Sequence, residues 1–283
     1  MTAPSPLPAP HPAIASGRLA VVTGGGDGIG FAAAQALARF GMQLAVIDHA
    51  PEALRRAHDV FGAEAVHDVD VADRGAMNAL ATDLLGRHGP AGVVMNNAAI
   101  GSGGDALSNF EAWDHLLGVN LMGVVHGVQA FVPAMAEGDL PGLVINTGSK
   151  QGITQPPGNT AYNVSKSAVK SLTEGLAHTL RERTGGRVSA HLLIPGFTFT
   201  GMIRRHIAQQ PASAWTPEQV VETMLDGVGR GAFYLWCLDN ETSWETDRRR
   251  VLWNAQDITE GRPALSRWHP DWKDAFAAWM DGA

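Results

Sequence analysis

A single cysteine, Cys237, stands in 283 residues. That excludes an intrachain disulfide and any zinc cluster built from several cysteines, and no metal ligand set is expected. Basic charge is also scarce: 21 Lys and Arg face 28 Asp and Glu, a formal charge of −7 with no basic stripe, which argues against nucleic acid. Arg248, Arg249 and Arg250 form the one basic run, and a solvated helix end accounts for it equally well. Nothing approaches the roughly 18 consecutive apolar residues of a membrane-spanning helix, so no membrane partner is expected. The opening MTAPSPLPAPHPAIASGR is rich in Pro and Ala and lacks the basic-then-apolar order of a signal peptide. The expectation is a flexible extension over residues 1–16 on a cytoplasmic enzyme.

What is present is apolar and glycine-rich, with 45% hydrophobic residues and 33 glycines. After Gly17, short apolar runs alternate with helix-like segments. LAVVTG (19–24), LAVIDH (44–49), AEAVHDVDV (63–71), AGVVMNNA (91–98), LPGLVINTGS (140–149) and GRVSAHLLIPG (186–196) read as six strands, and GAFYLWCL (231–238) as a seventh. Between them lie helical stretches at 31–41, 51–62, 74–89 and 109–135, a helix from about Tyr162 to Arg183, and one capped by Thr216. Repeated strand–helix units predict an α/β fold: one domain, a doubly wound parallel sheet with helices on both faces. The domain spans 17–238, with an insertion over the sheet's carboxyl edge at 197–217 and a tail at 239–283.

TGGGDGIG (23–30) joins the first strand to the first helix. Gly24 allows a tight turn, and Gly28 and Gly30 leave room for a pyrophosphate at the helix N-terminus. Asp48, ending the second strand, can accept the ribose hydroxyls of an adenosine and would repel a 2′-phosphate. Asp27 adds a second negative charge, and no arginine or lysine stands beside either in sequence. NAD is therefore expected rather than NADP. Asp70, ending the third strand, can meet the adenine edge or cap the following segment.

NTAYNVSKSAV (159–169) places Tyr162 and Lys166 four residues apart, on one face of a beginning helix. A phenol with an ordinary pKa near ~10 needs help to act at neutral pH. A nearby ammonium and a positive nicotinamide ring favour the phenolate, so Tyr162 can exchange a proton with an alcohol or ketone. Ser149, at the end of the fifth strand, can hold the substrate oxygen, or cap a turn. Asn120, inside an apolar helix, is costly to bury unpartnered. A relay water to Lys166 would satisfy it; a structural kink is the alternative.

These residues resemble the short-chain dehydrogenase/reductase family from about Gly17 to Leu238, on a Rossmann-like fold. The glycine signature is Thr23 to Gly30, the Asn-Asn-Ala-Gly motif appears as Asn96-Asn97-Ala98-Ala99, and Pro195-Gly196 follows strand six. The resemblance implies a catalytic set of Asn120, Ser149, Tyr162 and Lys166. It implies cofactor contacts from Gly24, Gly28, Ile29, Gly30, Asp48, Asp70, Val71 and Asn97. On the nicotinamide side it implies Tyr162, Lys166, Pro195, Gly196, Thr198 and Thr200. Ala99 replaces the motif's glycine and removes no reactive group. Hydride transfer between nicotinamide and a secondary alcohol or ketone is implied, as is a homodimer or homotetramer.

The substrate wall is read from residues 101–107, 153–159 and 197–215. Phe197, Phe199, Met202, Ile203 and Trp215 make it apolar, so a medium or bulky ketone or secondary alcohol fits, aromatic ones included. Arg204 and Arg205 could meet an acidic substituent, but the preferred reading is two solvated arginines. The tail carries Trp244, Trp253, Trp268, Trp272 and Trp279, as packing or interface, or else as a lid. The rival readings are an NADPH-dependent ketone reductase, a non-catalytic sensor of the nicotinamide cofactor, and a sugar-nucleotide epimerase or dehydratase.

Overall fold

The computed structural model describes residues 11–101 and 103–282. Seven strands form one parallel sheet: β1 (Leu19–Thr23), β2 (Gln43–Asp48), β3 (Val66–Asp68), β4 (Val93–Asn96), β5 (Gly142–Thr147), β6 (Val188–Ile194) and β7 (Tyr234–Trp236). Their order is β3-β2-β1-β4-β5-β6-β7, so direction of growth reverses between β1 and β4. In such sheets ligands bind outside the carboxyl ends, at that reversal. β1, β4 and β5 are buried along their whole length, which is why they read as continuous apolar runs.

Helices α1 (Gly28–Arg39), α2 (Pro51–Phe61) and α3 (Arg74–His88) connect the first four strands. The expected helix at 109–135 is interrupted. α4 (Phe110–Leu117) and α5 (Gly123–Glu137) flank a π-helical turn over Gly118–Met122 with Asn120 at its centre. The stretch Phe110–Glu137 is long and apolar enough to cross a bilayer, a possibility the count of consecutive apolar residues did not register. Half of its most apolar window is buried in the fold, so packing accounts for that composition. α6 (Gln151–Thr154) and α7 (Thr160–Thr184) follow β5; α7 is capped by Asn159 and starts two residues ahead of the expected Tyr162. The insertion holds α8 (Gly201–Arg204) and a bridge between Thr198 and Trp215. α9 (Pro217–Gly229) starts at Thr216 with a reciprocal capping box to Gln219.

Two expectations about the chain's ends change. Residues 1–10 lie outside the described residues, but Ala13 and Ile14 are buried in the core beside Met42, so 11–16 are part of the fold. In the tail, α10 (Trp244–Thr259) and α11 (Lys273–Asp281) pack on each other. Trp253 is buried against Trp272, Phe276 and Trp279 at centroid distances of 6.3, 5.3 and 5.9 Å. Trp244 and Trp268 are exposed. The basic run is solvated only in part, with Arg248 exposed. Arg249 is buried and donates to the carbonyls of Trp279 and Met280, both at 2.8 Å, fixing the last turn of α11.

Candidate active site

The glycine loop is built by close approach. Gly24 has φ +62°, and a Cβ there would fall 2.7 Å from Ala98 Cα; one on Gly30 would fall 2.2 Å from the Gly24 carbonyl oxygen. Side chains at these points would fill the cradle, so the loop fits a pyrophosphate brought close to backbone. α1 begins at Gly28, inside the motif and earlier than position 31. Asp27 caps it by accepting the Gly28 N–H at 2.6 Å. The N–H groups of Ile29 and Gly30 have no intrahelical acceptor and can serve an anion.

At the end of β2, Asp48 accepts three backbone N–H groups: Gly26 on Oδ2 at 2.9 Å, and His49 and Ala50 on Oδ1 at 2.9 and 3.1 Å. A carboxylate has about four acceptor sites, so this arrangement leaves room for one further donor on Oδ2 rather than two hydroxyls. His49 pairs with Asp68 at 2.7 Å, a hydrogen bond that raises its pKa. The expectation that Asp27 lacks a counter-charge is overturned. Arg56 lies 3.3 Å from Asp27 and donates to the Gly26 carbonyl at 2.9 Å, and Arg204 also pairs with Asp27. Folding brings both guanidinium groups from distant segments, so repulsion of a 2′-phosphate falls to Asp48. Asp70 accepts the Ala72 N–H at 2.9 Å, closing a turn, while Asp73 caps α3. Val71 is buried, and its carbonyl meets His126 Nδ1 at 2.8 Å.

Thr23 and Asn97 tie β1 to β4. Thr23 Oγ1 accepts the Asn97 and Ala98 N–H groups at 2.9 and 3.1 Å, and Asn97 Nδ2 donates to the carbonyls of Thr23 and Gly24, each at 3.3 Å. Thr147 Oγ1 donates to Asn97 Oδ1 at 3.2 Å, which links β5 to the same loop. Asn120 is fully buried and needs no relay water. Its Oδ1 accepts the Ile100 N–H at 2.7 Å, and its Nδ2 donates to Ile100 O at 2.9 Å and Ser165 Oγ at 3.3 Å. Its place in the π turn makes the kink reading correct and gives the kink a use: it clamps the loop that follows Ala99.

Ser149, Tyr162 and Lys166 meet above β5. Ser149 stands beside the Tyr162 phenol, whose pKa it lowers, and its hydroxyl accepts the Gln151 N–H at 3.2 Å, so its turn-capping and site positions coexist. Lys166 is 2% exposed, donates to the Thr147 carbonyl at 2.8 Å, and holds Nζ 5.8 Å from the Tyr162 ring centroid. Burial pulls its pKa down to about 8. Burial raises the Tyr162 pKa and thus favours the neutral phenol, with Ser149 opposing it.

Pro195 O accepts the Lys150 N–H at 3.3 Å, and Gly196 O accepts Thr198 Oγ1 at 3.2 Å. Thr200 sits against Gly28, so the insertion meets the glycine loop. Met202 packs on Gly101, while Asn159 donates to Gly101 O at 2.6 Å, joining two parts of the expected wall. Pro156 and Pro157 line a cleft of about 280 Å³ on another face of α7, with Val164 and Leu265. Thr147, Arg56 and Lys150 were not singled out in the sequence, and Thr23 only as the start of the glycine signature. A threonine or lysine at a strand end carries no spacing signal, and only the fold reveals their partners.

A model of the short chain dehydrogenase family matches residues 18–211. Galactitol 2-dehydrogenase of Rhizobium johnstonii is 36% identical over 228 residues, covering 74% of this chain and 87% of that protein. A short chain dehydrogenase/reductase from Burkholderia phymatum, crystallised with NAD, is similar at TM-score 0.76 and 33% identity, over 88% of this chain and 96% of that one. A metagenomic short-chain oxidoreductase in complex with NADP is similar at TM-score 0.62 and 29% identity, over 76% and 92%. With a glycine cradle at the sheet's reversal point and Ser149, Tyr162 and Lys166 converging beside it, the chain belongs to the short-chain dehydrogenase family of nicotinamide-dependent oxidoreductases.

Proposed function

We propose that the chain interconverts a secondary alcohol and a ketone with NAD, on medium or bulky apolar or aromatic substrates, with Tyr162 exchanging the proton. The observation that carries this reading is the buried Lys166 ammonium, 5.8 Å from the Tyr162 ring centroid, with Ser149 beside the same phenol. Bound nicotinamide supplies or accepts a hydride. Gly24, Gly28, Ile29 and Gly30 would hold its pyrophosphate, Asp48 the adenosine ribose, and Lys166 the nicotinamide ribose. Asp70, Val71 and Asn97 would border the adenosine and the loop behind it; Pro195, Gly196, Thr198 and Thr200 would border the nicotinamide.

A phenol whose pKa is raised by burial holds its proton at neutral pH, which suits donation to a ketone oxygen. Ser149 orients that oxygen. The oxidation direction needs the phenol deprotonated and gains from alkaline pH. Arg204 is engaged by Asp27, which removes one anchor for an acidic substrate and supports an apolar one. The galactitol 2-dehydrogenase relative, named for a polyol, supports secondary-alcohol chemistry rather than any one substrate. NADPH-dependent ketone reduction is the second reading, favoured by Arg56 beside the Gly26 carbonyl.

Kinetics of the wild type and Tyr162→Phe with NADH and NADPH test both halves. NADH should give the higher kcat/KM. Tyr162→Phe should lose about 10²–10⁴-fold in turnover while binding NADH normally by titration. Near-normal turnover in Tyr162→Phe overturns the proton role, and a preference for NADPH overturns the cofactor assignment.

A further inference from the structure

Lys150 directly follows Ser149, and its ammonium is held by the tail. Nζ lies 2.5 Å from Asp247 Oδ2 and 3.2 Å from Asp239 Oδ2. Asp247 is buried; it also accepts the Trp236 indole N–H at 3.0 Å and lies 3.5 Å from Arg250. The Trp236 ring centroid is 6.0 Å from Nζ. The same ammonium packs on the turn after β6, because a Cβ on Gly196 would fall 2.9 Å from Nζ. One side chain is therefore fixed between the tail's carboxylates and the Pro195–Gly196 turn.

Two helical turns after Asp247, Asn254 donates to Ile153 O and Gln155 Oε1, both at 3.2 Å. Gln155 has φ +43°, a left-handed conformation that a non-glycine residue keeps only when its neighbours hold it. α10 thus grips the segment 149–155 at both ends. Ser149 Oγ takes its orientation partly from the Gln151 N–H within that segment.

We infer that α10 is a positioning element for Ser149: Asp247, with Asp239, fixes Lys150, and Lys150 fixes the backbone from which Ser149 reaches Tyr162. The inference rests on the reading of Ser149 as the group that orients the substrate oxygen. Separating a buried carboxylate from its ammonium leaves both charges poorly solvated, so the pair resists displacement. The tail on this account is neither a lid nor passive packing.

The test uses the full chain, NADH, and the best-turned-over ketone of an aryl series beginning with acetophenone. Asp247→Asn is measured in wild-type and Ser149→Ala backgrounds. In the wild-type background kcat should fall about tenfold to a hundredfold, the range for small misplacements, with NADH affinity unchanged. In the Ser149→Ala background it should cause no further loss, because Asp247 acts through Ser149. Amide hydrogen exchange, which needs no substrate, should rise over 149–155 and stay unchanged in α7. Losses that multiply in the double variant, or unchanged exchange at 149–155, overturn the positioning role. If Ser149→Ala alone retains full turnover, the underlying reading of Ser149 fails instead. Trp236→Phe, which deletes the N–H donor and keeps a ring, repeats the test should Asp247→Asn not fold, with a smaller loss in the same pattern.

Discussion

Lys150 and Lys166 each bring an ammonium to the carboxyl edge of β5, and their surroundings differ in kind. Lys166 is almost wholly buried, and its polar contact among the described residues is the Thr147 carbonyl; burial pulls its pKa to about 8. Lys150 lies between Asp239 and Asp247, under an indole. A carboxylate beside Lys166 would have stabilised its charge and the fold together. Its absence leaves the ammonium's field directed at Tyr162, at the expense of stability. The difference separates an ammonium that holds structure from one kept available for chemistry, the usual tension between stability and activity.

Replacing each lysine with methionine should therefore fail in opposite ways. Lys150→Met leaves Asp239 and Asp247 with Arg250 as their remaining nearby cation and should destabilise the fold by about 3–5 kcal/mol, read from urea unfolding. A loss under about 1 kcal/mol would place the network in the range of solvated surface pairs and erase the contrast.

Lys166→Met removes a buried charge with no carboxylate to abandon, so stability should hold or rise. Turnover should drop about a hundredfold, near 2.7 kcal/mol of barrier, and NADH affinity should weaken with it. A variant that is strongly destabilised but retains turnover would reverse the two roles.

The parts of this comparison differ in how far the sequence discloses them. β1, β4 and β5 are legible because burial on both faces demands unbroken apolar runs, and the glycine loop is legible because close backbone approach demands glycine. The Tyr162–Lys166 pair follows from helical spacing alone. The π turn at Asn120 has no such signature; an asparagine in an apolar helix signals a need for partners without naming Ile100 and Ser165. Lys150 finds its carboxylates 89 and 97 residues away, and Asp27 one of its arginines 177 residues away. Such pairs are set by how the tail and the insertion lie on the sheet. Arg249 escaped recognition for the same reason: in sequence it is one of three arginines, and only its contact with α11 separates it from Arg248.

The smallest expected effect bears on Lys166 without any substrate. Its folded pKa is about 8 against an ordinary 10.5, so between those values the unfolded chain binds a proton that the folded chain has released. Stability from this group must then rise with pH across that window, with a slope of at most about 1.4 kcal/mol per unit, and the penalty is fully present below pH 8. Other groups titrate in the same range, so the quantity to measure is the difference in unfolding free energy between wild type and Lys166→Met. At pH 8 the wild type should stand at its greatest disadvantage, and the gap should close as pH approaches 10.5. A flat Lys166 difference would mean that its ammonium finds compensation in the folded state, and the two lysines would then be alike.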